Sequence, residues 1–209
     1  MKVTAIVPAY NEEATIGTVL RVLTDCPNVD EVIVVSDGST DNTAAISRNY
    51  AVNVIELNEN VGKGGALKIG AERTDADVLL FIDADLVGLN PGHIEKLLAP
   101  VLEEEADMTV GIFEDGRFAT DLAQKIAPFL SGQRAIKREL FMQVPEVEHS
   151  RYGIEVALSR YADSNHKVVT MVHLSDLSQV MKEEKQGFVK GFCARMKMYW
   201  EIIREMHVR

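Results

Sequence analysis

A chain of 209 residues with 46% hydrophobic content holds enough apolar mass for one substantial core and too little for two ordinary domains. Its 32 acidic and 22 basic side chains leave a formal net charge of -10, which argues against a nucleic-acid partner, because duplex binding needs clustered Lys and Arg on phosphates. The two cysteines, Cys26 and Cys193, belong to no metal or disulfide spacing, so a reducing cytoplasm is the expected setting.

Read in chain order, short apolar runs alternate with helical patterns, the signature of βα units around a mostly parallel sheet. Val3 to Val7 reads as the first strand, too short an apolar run for a signal peptide, and no later stretch reaches the roughly 18 apolar residues of a membrane span. Asn11 is expected to cap a helix whose apolar positions Ile16, Val19, Leu20 and Leu23 share one face. Glu31 to Ser36 is the second strand, followed by Asp37-Gly38-Ser39-Thr40 and a short helix capped by Asp41. Asn53 to Leu57 is the third, leading through Asn60-Val61-Gly62-Lys63-Gly64-Gly65 into a helix ending near Arg73. Val78 to Ile82 is the fourth and runs straight into Asp83-Ala84-Asp85. Asn90 and Pro91 stand where an N-cap and first helical residue belong, ahead of Ile94, Leu97, Leu98 and Val101, and Met108 to Ile112 forms a fifth strand.

The second half is less regular. A polar stretch from Phe113 to Asp121 precedes a helix to Ala127, then Ser131-Gly132-Gln133-Arg134 and a helix to about Met142. A helix from Gly153 to Tyr161, a strand from Lys167 to Val172 and a long helix from Leu177 complete the pattern.

In an open α/β sheet, ligands bind beyond the carboxyl ends of the strands, so polar residues just after each strand are candidates for one shared site. Four consecutive strands deliver such residues: Pro8-Ala9-Tyr10-Asn11-Glu12, then Asp37 to Asp41, then Gly62-Lys63-Gly64, then Asp83 and Asp85. Two aspartates one residue apart at a strand end offer hard oxygen donors to Mg²⁺ or Mn²⁺, and glycines let a backbone approach phosphates closely.

Taken together these residues resemble the family-2 glycosyltransferases with the GT-A fold, over about the first 112 positions. The resemblance implies a mixed, mostly parallel sheet flanked by helices, with a long C-terminal helix, in one domain: 1–112 for the nucleotide sugar, 113–176 for the acceptor and 177–209 for the terminal helix. It implies that Pro8, Ala9 and Tyr10 hold the nucleoside, and that Asp37 in its turn with Ser39 recognises the base. It further implies that Glu12 and Asp83, next to Ala84, face ribose, Gly62 and Lys63 face the diphosphate, and Asp85 binds Mg²⁺ or Mn²⁺. The partner so implied is a UDP- or GDP-sugar, and the activity is transfer of its sugar.

Farther on, Tyr152-Gly153-Ile154-Glu155 and Val172-His173 resemble glucosyl-3-phosphoglycerate synthase-type enzymes, which implies His173 as a metal ligand beside Asp85. Gly132, Gln133 and Arg134 open a basic segment suited to a phosphorylated acceptor, since Arg pairs bidentately with such groups. Glu155 is the candidate to orient the acceptor hydroxyl or act as a base; the stereochemical course stays open. A polyprenyl-phosphate acceptor is the alternative, with the terminal helix either resting on an anionic membrane or packing in a homodimer. Further rivals are a sugar-phosphate nucleotidyltransferase, disfavoured by Glu12 and Glu13 where a basic loop belongs, and a non-catalytic nucleotide-sugar binder.

Overall fold

The computed structural model describes residues 1–113, 131–145, 147 and 153–179. The chain divides into two compact units, 1–178 and 179–209. The second lies outside the described residues apart from Gln179, and with it almost all of the expected terminal helix; Ser178–Gln179 themselves are extended, so no helix begins at Leu177.

The first unit runs β1 (Val3–Ala9), α1 (Ile16–Thr24), β2 (Glu31–Ser36), α2 (Thr43–Ser47), β3 (Asn53–Glu56), α3 (Lys63–Glu72) and β4 (Val78–Phe81). It continues through a two-residue strand β5 (Leu86–Val87), α4 (Pro91–Leu102), β6 (Met108–Phe113), β7 (Arg134–Lys137), α5 (Arg138–Gln143), α6 (Ile154–Ser164) and β8 (Val169–Leu174). Seven strands form one sheet in the order β3-β2-β1-β4-β7-β6-β8. Strands β1 to β4 are mutually parallel, β6 pairs parallel with β8, and β7 runs antiparallel to both of its neighbours.

The chain winds outward from β1 to β3 on one side, then crosses through α3 to β4 on the other, so the strand order reverses between β1 and β4. At such a switch point an open α/β sheet forms its ligand crevice, beyond the carboxyl edge of the strands. Because β7 is reversed, its amino end joins the same edge, and Ser131-Gly132-Gln133 enters the crevice from there.

Alternation along β1 divides the core between the two faces. Val3, Ala5, Val7 and Ala9 pack with α1 and α4, whereas Ile6 packs with α3, Ile33 and Val35. The helix stripes are as expected: Ile16, Val19, Leu20 and Leu23 of α1, and Ile94, Leu97, Leu98 and Val101 of α4, are all fully buried. Asn90 caps α4 by accepting the His93 amide, with Pro91 at the first turn.

Three local expectations are corrected. Asn11 does not cap α1, which starts only at Ile16; it adopts φ 56° and accepts the Thr40 amide at 2.8 Å, stitching two loops together. Asn42 occupies the N-cap place of α2, and Asp41, one residue earlier, receives the Thr43 amide at 2.9 Å. Residues 135–137, expected to open the helix after Arg134, instead continue from Arg134 as β7, and the helix begins at Arg138 as α5. Ala135 faces one core layer and Ile136 the other, and four residues are too few to display a two-residue period; the slot between β4 and β6, with ladder partners on both sides, decides the conformation.

Helix α3 lies against β1 through Gly70, where an added Cβ would sit 2.6 Å from Ile6 Cγ2. Overpacking a rigid core costs roughly 1–3 kcal/mol, more than the roughly 1 kcal/mol that Ala gains over Gly in a helix. Gly70→Ala is therefore expected to lower the melting temperature by a few degrees in a calorimetric scan, despite its better helix propensity.

Candidate nucleotide-sugar site

The loops after β1 and β2 brace each other. Glu12 N donates to Thr43 Oγ1 at 2.8 Å, Glu13 N to Asp41 Oδ2 at 3.1 Å, and Asn11 N to Ser39 Oγ at 3.2 Å. Burial by itself would raise the Asp41 carboxyl, but the Thr43 hydroxyl and amide and the Glu13 amide hold it below the ordinary range. Tyr10, half exposed at the lip, presents a ring to solvent, while Pro8 and Glu12 are half-buried and Ala9 is buried.

Asp37 is buried at the end of β2. Its two carboxylate oxygens accept the amides of Val61 at 2.7 Å and Gly62 at 2.9 Å, and its carbonyl accepts Asn60 Nδ2 at 3.1 Å. Gly62 has φ 88°, a left-handed value that glycine adopts without a Cβ penalty, and it turns the chain into the first residue of α3. Asp37 thus holds the glycine-rich turn in place, and each of its oxygens keeps a second lone pair.

That turn delivers Lys63 to the centre of the crevice. Its Nζ lies 2.6 Å from Asp83 Oδ1, just past β4, and 2.8 Å from Glu155 Oε1 in the first turn of α6. The three side chains are only 12–25% exposed. Desolvation would lower the Lys63 ammonium, but the Asp83 and Glu155 carboxylates outweigh it and raise the group well above the usual lysine value.

The strand opening, residues 131–134, wraps this cluster. Gln133, fully buried, accepts Asp83 N on Oε1 at 3.0 Å and donates from Nε2 to Asp83 Oδ2 at 2.8 Å. Gly132 is needed for the close approach: a Cβ there would stand 2.2 Å from Lys63 Nζ and 2.6 Å from Asp83 Oδ2. Arg134 points the other way and is 1% exposed. It donates from Nε to Ser131 O at 3.0 Å and from Nη1 to Ser159 Oγ at 3.1 Å, and Ser159 Oγ donates to Glu155 O at 2.9 Å. Burial pulls its guanidinium down to about 10, opposed by the Glu155 carboxylate. The sequence offers Arg134 to a phosphorylated acceptor; the structure places it behind the crevice, under the helix that carries Glu155.

Asp85 is half-buried two residues beyond Asp83, with Ala84 buried between them. His173 stands in β8 opposite Ile112, exposed, its carbonyl accepting Lys96 Nζ at 3.3 Å. Among the described residues no group of three or more His, Cys, Asp or Glu gathers into a metal cage. Mg²⁺ held by one or two carboxylates and completed by substrate phosphates needs no such cage, and the carboxylate oxygens of Asp83 and Asp85 are the right donors for that arrangement.

Sequence reasoning selected Lys63, Asp83 and Glu155 separately, and the structure brings all three together. It did not foresee the grip of Gln133 on Asp83 or the Arg134–Ser159 support. The only signal in the sequence was the unbroken run Ser131-Gly132-Gln133-Arg134, small then polar, at the entrance to a strand.

A doubly wound sheet with an antiparallel insertion and acids, a lysine and a glycine turn at its switch point defines a GT-A nucleotide-sugar domain. The model of Glycosyl transferase family 2 matches residues 4–167, and the chain belongs to that family. It is 30% identical over 195 residues to glucosyl-3-phosphoglycerate synthase of Mycobacterium tuberculosis, covering 75% of this chain and 59% of that protein. It is 27% identical over 146 residues to dodecaprenyl-phosphate galacturonate synthase of Rhizobium johnstonii, covering 64% of this chain and 43% of the relative. A crystal structure of the M. tuberculosis synthase with Mg²⁺ and UDP matches with a TM-score of 0.74 at 28% identity, covering 86% of this chain and 71% of that one. The same synthase with Mn²⁺, UDP and glucosyl-3-phosphoglycerate also gives 0.74. The chain therefore spans about three fifths of the length of the M. tuberculosis relative.

Removing the ammonium strands two carboxylates in the crevice, which costs on the order of 1–3 kcal/mol for such partly buried groups. Lys63→Met should accordingly melt lower than the wild-type protein. Because the folded-state value of Lys63 lies above the unfolded 10.5, its contribution is complete below 10.5 and is lost only as pH climbs through the higher folded value. Melting curves recorded from neutral pH upward should show a constant gap between the two proteins that narrows only above about 10.5.

Proposed function

We propose that this chain transfers a sugar from a nucleoside diphosphate donor to a small phosphorylated acceptor, with a divalent cation on the diphosphate. The observation that carries the reading is the convergence of Lys63, Asp83 and Glu155 within hydrogen-bond distance at the switch point, beside the glycine turn and Asp85. The relatives support it, since the M. tuberculosis synthase has been crystallised with UDP, Mn²⁺ and its phosphorylated product.

In this reading the nucleoside lies along Pro8, Ala9 and Tyr10, where the exposed tyrosine ring offers a stacking surface. Asp37 and Ser39 meet the base, Asp37 through the second lone pairs that the turn amides leave. Glu12 and Asp83, with Ala84 next to Asp83, take the ribose. Gly62 and Lys63 at the amino end of α3 receive the diphosphate, where the helix dipole and the ammonium both favour negative charge. Asp85 holds Mg²⁺ or Mn²⁺, with His173 the further candidate ligand; the cation neutralises charge on the departing diphosphate.

Glu155 faces the sugar side. Its Oε1 already accepts from Lys63 Nζ, and the other oxygen is the one left to orient a hydroxyl. Of the three residues offered to the acceptor, Gly132 lines this side and sets how close the wall comes, while Gln133 is turned onto Asp83 and Arg134 supports the helix of Glu155 from behind.

A second reading, transfer to a polyprenyl phosphate, is favoured by the R. johnstonii relative named for such an acceptor. No helix among the described residues is long and apolar enough to cross a membrane. A cytoplasmic protein, either homodimeric or touching an anionic bilayer through residues 180–209, completes both readings. Co-sedimentation with anionic vesicles, lost on truncation after 180, would favour the lipid acceptor.

The direct test is a thermal-shift screen of UDP- and GDP-sugars with and without Mn²⁺. One donor should raise the melting temperature by several degrees with the metal and clearly less without it, and Asp85→Ala should lose the metal-dependent part. No stabilisation by any nucleotide sugar would refute the donor reading. Gly132→Ala should displace the flexible end of Lys63 rather than the backbone. It is expected to weaken donor use about 10-fold or more in kcat/KM, while lowering the melting temperature no more than Lys63→Met does.

A further inference from the structure

Three observations meet at the entrance to β7. First, the antiparallel register pairs Phe81 with Arg134. Continued two residues beyond β4, it sets Gly132 opposite Asp83, and the missing Cβ of Gly132 leaves Asp83 Oδ2 and Oδ1 within 2.6 and 2.9 Å of where that atom would be. Second, the Gln133 side chain is 0% exposed, so its amide is not presented to an incoming acceptor. Third, that amide is spent on one residue: Oε1 on the Asp83 backbone N–H and Nε2 on Asp83 Oδ2.

We infer that Gln133 is a positioning residue of the donor site, a buried amide that clasps Asp83 at backbone and side chain together and so sets the direction of its Oδ1 toward Lys63. The inference rests on the donor reading above and deepens it. A primary amide suits this place because it alone among uncharged side chains of that length offers an acceptor and a donor a little over 2 Å apart, which is what a peptide N–H and the carboxylate of the same residue require. A carboxylate held at one oxygen has one remaining edge to present, and that edge is the one 2.6 Å from Lys63 Nζ. Without the clasp the Asp83 side chain gains rotamer freedom, and each bound nucleotide has to order it again. Arg134, next in sequence and on the opposite face of the strand, reaches the backbone of Glu155 in α6 through Ser159, so neighbouring residues support the two segments that carry the carboxylates flanking Lys63.

A double-mutant cycle read by calorimetric titration tests this. UDP and GDP, each with Mn²⁺, are titrated into wild type, Gln133→Met, Asp83→Ala and the double variant, with melting temperatures measured alongside. Gln133→Met should weaken nucleotide binding about 10-fold, the equivalent of one lost hydrogen bond to a charged group. Asp83→Ala should weaken it at least as much, and the double variant should match Asp83→Ala within about twofold, since Gln133 then has nothing left to aim. Additive losses would overturn the inference, because a residue that merely stabilises the fold acts independently of Asp83. Wild-type affinity in Gln133→Met would overturn it as well. If neither nucleotide binds the wild-type protein, the donor reading falls and this inference falls with it, an outcome visible before any variant is made. Should Gln133→Met not fold, Gln133→Asn takes its place under the same criteria, because it keeps an uncharged amide but is one methylene too short to reach Asp83 N and Oδ2 together.

Discussion

The crevice is organised by one ammonium group held between two carboxylates. Lys63 belongs to the amino end of α3, Asp83 to the segment just past β4, and Glu155 to the first turn of α6, 92 residues from Lys63 in the chain. Each of these elements is anchored in the core by other residues, so the charges add little to folding that burial does not already provide. What they add is register: the glycine turn, the end of β4 and the start of α6 occupy one place relative to each other because their charges pair there.

The physical risk of that arrangement is desolvation. Partly buried charges are costly unless each is satisfied, and removing one partner is far worse than never having placed the pair. The surroundings meet this requirement with neutral groups. Gln133 bonds the second oxygen of Asp83, and Ser159 links the Arg134 guanidinium to the Glu155 backbone. Asp37 performs the matching task for the backbone of the turn, taking two amides that would otherwise lie unpaired beside the site. The same features suit a nucleotide diphosphate. Anion-binding amides, an ammonium and hard oxygen donors for a cation lie together at the edge where a doubly wound sheet binds ligands.

Gly132 and Gln133 show how a single reversed strand makes such a site possible. A parallel strand between β4 and β6 would bring its carboxyl end to the crevice. The antiparallel β7 brings its amino end instead, and the chain enters already carrying small and polar residues into contact with Asp83. This side of the crevice is therefore built from the entrance to a strand rather than from the exit of one.

Local pattern was enough for the longer strands and the helices of the first 112 residues, though not for the caps of α1 and α2 or for the short β5. The short apolar runs, the 3,4 spacing in α1 and α4, and the Asn90-Pro91 cap each follow from interactions within about four residues, so they are legible one segment at a time. Residue chemistry after each strand likewise pointed to Asp37, Lys63, Asp83 and Asp85, because the carboxyl edge of such a sheet is where ligands bind whatever the details. Tertiary structure alone decided the rest. Residues 134–137 are a strand because a slot between β4 and β6 offers ladder partners that no neighbouring residue could signal. Arg134 went into the interior and Gln133 onto Asp83 because alternation along that strand sends successive side chains to opposite faces, and which face holds the crevice depends on register with β4. The pairing of Lys63 with Glu155 had the same origin: hydrogen bonds between residues 92 positions apart exist only once the sheet has brought their helices to a common edge.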